Sequence, residues 1–192
     1  QRQMCIRDRF RMDDVDAMLY LDYGRNMGEW QPNLYGTNEN LYAVEFLKHL
    51  NSIVKKRNPG VLLIAQEDGL WPELTDSVEN DHLGFDYKWS GGWTRDFLEY
   101  LASEPENRKR SHDQLTLSTL YAYSEHYILT LGSRDVGTLD DFRTRIWGDE
   151  NQKEAEIRAA YGYMTLHPGC KMSAPDKELS LIHISEPTRL GM

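Results

Sequence analysis

The chain lacks most of what would mark a secreted, membrane-bound or nucleic-acid-binding protein. Two cysteines, Cys5 and Cys170, stand in 192 residues. They are too few and too far apart for a disulfide framework or a cysteine metal site. No apolar run approaches the ~20 residues that a membrane-crossing helix needs. The longest, Val61-Leu62-Leu63-Ile64-Ala65, has the length of a buried strand. Gln1 to Arg9 is polar and charged, with no apolar core of a secretory signal. Basic charge is in deficit, the net charge being −9. A nucleic-acid binder needs a basic stripe, whereas the basic runs here, Lys55-Lys56-Arg57 and Arg108-Lys109-Arg110, are short and read as solvated faces. Nucleic acid and membrane are therefore not expected partners. There is no nucleotide-binding glycine loop, and Gly91-Gly92 beside Trp93 reads as a turn. His49, His112, His126 and His167 lack ligand spacing and read as structural, so no metal and no cofactor is expected. What remains is a reduced, cytoplasmic, globular protein of ordinary composition, 40% hydrophobic and 28% charged.

The apolar pattern predicts alternating strands and helices. Phe10 to Val15 is a short strand-like piece turning acidic, and Asp16 to Tyr23 continues as a helix or packed loop. Gly24 to Asn40, rich in Gly, Asn and Pro, is a long loop. Leu41 to Lys56 is the clearest helix, with Leu41, Val44, Leu47 and Leu50 at helical spacing and Asn58-Pro59-Gly60 as its stop. Val61 to Ala65 then reads as a strand apolar on both faces, as a covered parallel sheet requires. Further strands are expected at Phe85–Trp89 and Tyr127–Leu131, and further helices at Thr94–Leu101 and Glu154–Leu166, with Leu115–Tyr123 amphipathic between them.

Three of the strand-like pieces end in carboxylates: Asp13 and Asp14, Glu67 and Asp68, and Asp135. In a parallel α/β barrel, residues at the strand C-termini converge on one rim, which is where such folds carry their chemistry. Converging carboxylates suit glycoside cleavage, one attacking the sugar carbon and another protonating the leaving oxygen. A third can stabilise the oxocarbenium-like state. The intervening loops hold Tyr23, Trp30, Tyr35, Trp71, Trp89 and Trp93. Aromatics are more often core than sugar platform.

One stretch is more specific. Phe10-Arg11-Met12-Asp13-Asp14-Val15-Asp16-Ala17-Met18-Leu19-Tyr20-Leu21-Asp22-Tyr23 resembles the F-R-V-D-A-V-A-S-M-L-Y-L-D-Y motif of bacterial 1,4-α-glucan branching enzymes, of the α-amylase superfamily. The likeness continues in register through Gly28-Glu29-Trp30-Gln31-Pro32-Asn33, Trp71-Pro72, Leu83-Gly84-Phe85-Asp86-Tyr87-Lys88-Trp89, His112-Asp113 with Leu115-Thr116, and Arg158 to Met164 with His167-Pro168-Gly169. It covers about residues 10 to 172. The resemblance implies α/β architecture, a partial (β/α)₈ barrel from roughly the fourth strand to the helix before the eighth. It also implies a retaining double displacement: an α-1,4-glucan is cut, held as a covalent glycosyl-enzyme and passed to a 6-hydroxyl. The family nucleophile falls on Asp13, with Arg11 facing the same way to orient it. Arg11, Trp30, Trp71, Lys88 and Trp89 fall at substrate-binding positions, with glycogen- or amylose-like α-glucan as partner.

The chain also departs from the family. The acid/base glutamate position holds Gln66, whose amide cannot donate a proton as a carboxylic acid does. Glu67 is adjacent, but strand alternation turns it to the opposite face, so it can substitute only if a bulge re-aims it. In the third motif, strict register puts Arg134 at the family aspartate, whereas moving the gap matches Ser133-Arg134-Asp135 and keeps Asp135 as transition-state stabiliser. Either alignment loses the family histidine. Residues 1–9 and 173–192 do not resemble the family, and Leu179 to Met192 looks like a translated sequencing adapter, as does Met4 to Arg9. The expectation is an internal piece of a branching enzyme, itself inactive. The alternative is a non-catalytic paralogue that binds glucan.

Overall fold

The computed structural model describes residues 9–69, 71–131 and 143–172. Its strands are β1 (Arg9–Met12), β2 (Leu62–Gln66), β3 (Tyr87–Trp89), β4 (Tyr127–Leu129) and β5 (Cys170–Lys171). Its helices are α1 (Val15–Leu19), α2 (Leu41–Arg57), α3 (Gly91–Ala102), α4 (Asp113–Thr116), α5 (Ser118–Tyr121) and α6 (Glu150–Leu166).

The longer helices carry their own start and stop chemistry. The Asn40 side chain caps α2 by accepting from the Ala43 amide at 3.3 Å, which satisfies one of the donors a helix start leaves open. Lys55, Lys56 and Arg57 occupy the last turn of α2, where cations complement the helix dipole. At α6 the Asp149 side chain and the Gln152 amide NH form a reciprocal capping box with the Asp149 NH and Gln152 side chain. That box moves the start of α6 back to Glu150, four residues earlier than the apolar pattern alone suggests. The Gly91-Gly92 pair is likewise the first turn of α3 and not a separate turn.

All five strands are parallel, and their spatial order follows their sequence order, β1-β2-β3-β4-β5. A doubly wound sheet reverses its order at a switch point. An unreversed parallel order is the winding of a (β/α)₈ barrel, and the sheet is an arc of one, with α-helices in three of its four connections. β5 was not legible in the sequence. It is two residues long and follows the His167-Pro168-Gly169 break, where Gly169 adopts a left-handed φ of 107°.

Register assigns each strand residue to a face. Leu63 and Ala65 of β2 pack with Val44 and Leu47 of α2 and with Val15 and Leu19 of α1, so they face the helices. Leu129 and Leu131 do the same against Trp93, Phe97 and Leu98 of α3 and Ala160 and Met164 of α6. The opposite face holds a smaller cluster of Ile64, Trp89 and Ile128. Their pairing partners confirm it: Arg11 is opposite Ile64, Gln66 is opposite Trp89, and Trp89 is opposite Ile128.

The β2–β3 connection has no long helix to cover it and is fixed by buried polar anchors instead. Asn51 of α2 donates to the Leu83 carbonyl at 2.8 Å. Asp86 accepts from the Leu63 amide at 2.8 Å and pairs with Lys55 at 2.7 Å. The buried Glu125 carboxylate accepts from the amides of Leu74 and Thr75, each at 2.8 Å, and from the Thr75 hydroxyl. Removing that acceptor strands two backbone donors, and hydrogen bonds to charged groups contribute about 1.5–3 kcal/mol each. Glu125→Ala is expected to lower the stability of the chain by about 3 kcal/mol in urea titrations, with Glu125→Gln, which keeps one acceptor oxygen, in between. Equal stability of wild type and Glu125→Ala would show that the 74–75 loop is held by something else.

Candidate active site

Asp13 lies directly after β1, where the chain turns sharply because Asp14 is left-handed at φ 51° and ψ 45°. Aspartate tolerates that region better than most side chains. Arg11, two residues earlier on the same face, grips the Asp13 carboxylate with two nitrogens, Nε to Oδ1 at 2.6 Å and Nη2 to Oδ2 at 3.3 Å. The same guanidinium sits over the Trp89 ring, 4.6 Å from its centroid. Forked pairing fixes a carboxylate in orientation as well as charge, and the stacked indole fixes the guanidinium in turn. Arg11 is thereby occupied by Asp13 and Trp89.

The pairing of β1 with β2 runs through Met12 and Ala65. One step further along come Asp13 and Gln66, one strand spacing apart, about 4.8 Å at the backbone. Gln66 is 6% exposed and follows Ile64 and faces away from the helices. Asp13, Arg11, Gln66 and Trp89 therefore share one face at the C-terminal ends of adjacent strands.

Glu67 does not join them. The register stays regular through Gln66 and Trp89, so no bulge re-aims the next residue. Glu67 is 1% exposed, and its Oε2 accepts from the Lys88 ammonium at 2.6 Å. Lys88 pairs with Ala65 on the helix-facing side and is itself 8% exposed. Glu67, expected as a substitute acid, and Lys88, expected to bind substrate, are paired with each other on the helix-facing side of the sheet. Alternation carried the signal: Lys88 precedes Trp89, so the two cannot share a face. Tyr20 lies close to this pair, its phenol pushed up to about 12 by burial and then by the negative charge of Glu67 and, less strongly, of Glu39 and others. Trp71, half-buried, packs edge-on against Tyr20 with centroids 5.7 Å apart, on the same helix-facing side. Trp30 is half-buried in the loop after α1. Ser133, Arg134 and Asp135 lie outside the described residues. Among the described residues, no group of three or more His, Cys, Asp and Glu side chains could hold a metal ion, and no helix is long and apolar enough to cross a membrane.

Two glycines, each unremarkable in the sequence, make this arrangement possible. A Cβ on Gly69 would collide with Glu67 Oε1, and one on Gly91 would meet Asp68 Oδ1 at 2.5 Å. Breaking a buried ion pair by removing one partner costs about 3–5 kcal/mol, whereas replacing both with apolar side chains is often neutral. Lys88→Met is expected to destabilise by about 3–5 kcal/mol, and Glu67→Met with Lys88→Met together to recover most of that loss in thermal or urea melts. A single variant as stable as wild type would contradict the pairing.

No family model matches the chain. Among curated proteins it is similar to a 1,4-alpha-glucan branching enzyme of Clostridium perfringens, 45% identical over 166 residues, which is 86% of this chain and 25% of that protein. A 1,4-alpha-glucan branching enzyme of Thermobifida fusca is 42% identical over 176 residues, 90% of this chain and 23% of that protein. One from Corynebacterium diphtheriae is 46% identical over 166 residues, 84% of this chain and 22% of that protein. A solved structure, Eubacterium rectale Amy13B, aligns at a TM-score of 0.49 and 15% identity over 86% of this chain and 29% of that one, a likeness too distant to add to the argument. The chain spans about a quarter of the length of the curated relatives it matches. Over that span, with its motifs in the same order and register, the chain is homologous to a segment of these 1,4-alpha-glucan branching enzymes.

Proposed function

We propose that this chain carries the nucleophile side of a glucan-branching site and that, with Gln66 in place, it engages α-glucan without turning it over. The observation that carries this reading is the shared face of Asp13, Arg11, Gln66 and Trp89, with an amide where a carboxyl is needed. In a retaining transfer, Asp13 Oδ attacks the anomeric carbon, the bond from that carbon to the leaving glucan oxygen breaks, and that oxygen takes up a proton. Arg11 grips the Asp13 carboxylate in a forked pair, which orients its oxygens for attack. Among the described residues the family acid/base position on this face is Gln66, whose amide can hydrogen-bond the glycosidic oxygen but does not release a proton to it. The second half of the cycle fails for the same reason: the incoming 6-hydroxyl needs a base to accept its proton, and an amide is not one.

The whole family reaction, α-1,4 cleavage followed by α-1,6 branch formation in glycogen synthesis, is the ancestral chemistry from which this site departs. A cytoplasmic setting fits that chemistry and the absence of cysteine pairing in the sequence. The reading in which the chain is part of an active branching enzyme requires a proton donor other than Glu67, whose carboxylate is held behind the sheet by Lys88.

The test is a chimera: residues 10–131 of this chain replace the matching segment of the Clostridium perfringens relative, and new α-1,6 branches on amylose are counted. The chimera carrying Gln66 is expected to be at least ~10²-fold slower than the same chimera with Gln66→Glu, the usual contribution of a general acid. Adding Asp13→Asn is expected to abolish what remains. Equal rates for Gln66 and Gln66→Glu would overturn the reading.

A further inference from the structure

Behind the sheet, between the strand residues that face the helices and the loop at Trp71–Glu73, lies a cavity of about 620 Å³. That is the size of a small-molecule site. Glu67 and Lys88 line it. Lys88 engages Oε2 of Glu67, while Oε1 is buried with no hydrogen-bond partner among the described residues. Buried polar atoms in native proteins are satisfied almost without exception, and one that is not calls for an explanation. The space that Oε1 occupies is left open by Gly69, where a Cβ would meet that oxygen.

The surrounding charges say what kind of group is wanted. The Glu67 carboxylate is already balanced by the Lys88 ammonium. Glu125, also lining the cavity, is taken up by Leu74 and Thr75, and Glu73 pairs with His82 at 3.1 Å. Asp68, the remaining carboxylate of the lining, has a partner of its own, so the unmet need at Glu67 Oε1 is one hydrogen-bond donor. The walls include the half-buried rings of Trp71 and Tyr121, and such rings accept the C–H faces of a sugar while its hydroxyls turn to polar groups. We propose that this cavity is a second binding site, for a neutral, hydroxyl-rich ligand of one or two sugar rings, with Glu67 Oε1 accepting a ligand hydroxyl. The site is on the opposite side of the sheet from Asp13 and does not rest on the branching reading.

Calorimetric titration of the chain with maltose, and separately with the polycation spermidine, tests this. Saturable millimolar maltose binding is expected. It should weaken at least ~tenfold in the paired variant Glu67→Met with Lys88→Met, which removes the acceptor without leaving a lone buried charge. Ser124→Trp, a change at an exposed residue lining the cavity, should weaken it equally by filling the space. Circular dichroism of each variant checks that the fold is kept, and Ser124→Trp decides the matter if the paired variant does not fold. The proposal is overturned by an absence of saturable maltose binding, by affinity unaltered in the folded cavity variants, or by spermidine binding in place of maltose.

Discussion

Everything at this site follows from the two-residue alternation of a parallel strand. Consecutive side chains leave a strand on opposite faces, and in this sheet the two faces have different neighbours: helices on one side, a small apolar cluster with the Arg11–Asp13 pair on the other. Gln66 and Glu67 are adjacent in sequence, yet they belong to different chemical environments. The same rule separates Lys88 from Trp89. Strands β2 and β3 are buried on both faces and cannot let Glu67 or Lys88 swing round, because the exchange would drag a charge through the apolar layer at a cost well above the net stability of a domain.

The Lys88–Glu67 pair is the counterpart of that rule on the helix-facing side. It lies where the barrel winding lacks a long covering helix, since residues 67 to 86 cross from β2 to β3 with only a single 3₁₀ turn, Val78–Asn80. Polar anchors replace helix packing there: Asn51 on Leu83, Asp86 on Leu63 and Lys55, and Glu125 on Leu74 and Thr75. Such anchors have direction, so they fix the loop geometry and leave a defined cavity in place of a collapsed core.

Much of this was legible in the residues. The helical spacing of α2, its Asn-Pro-Gly stop, and the apolar run of β2 predicted those elements, and the Phe10-to-Tyr23 and Leu83-to-Trp89 motifs predicted the architecture. Alternation, applied to Gln66 and Glu67, anticipated their separation. Applied to Lys88 and Trp89 it would have removed Lys88 from the substrate-binding set. β5 was hidden because two residues carry no periodicity. The start of α6 was hidden because its signal is the Asp149–Gln152 capping box and not an apolar stripe. The cavity was hidden because Gly69 and Gly91 matter only through what a side chain there would strike, a distance no local pattern encodes.

The central claim is that Asp13 is a competent nucleophile facing a position that has lost its proton donor. The most direct test is to treat the chimeric enzyme carrying Gln66 with α-maltosyl fluoride and map the labelled peptide by mass spectrometry. Fluoride leaves without protonation, so the bond from the anomeric carbon to fluorine breaks and a bond to Asp13 Oδ forms with no acid needed. Release of the sugar still needs a base. The account predicts that a maltosyl ester accumulates on the peptide containing Asp13. A label on Glu67, or no label from a folded protein that binds glucan, would contradict it.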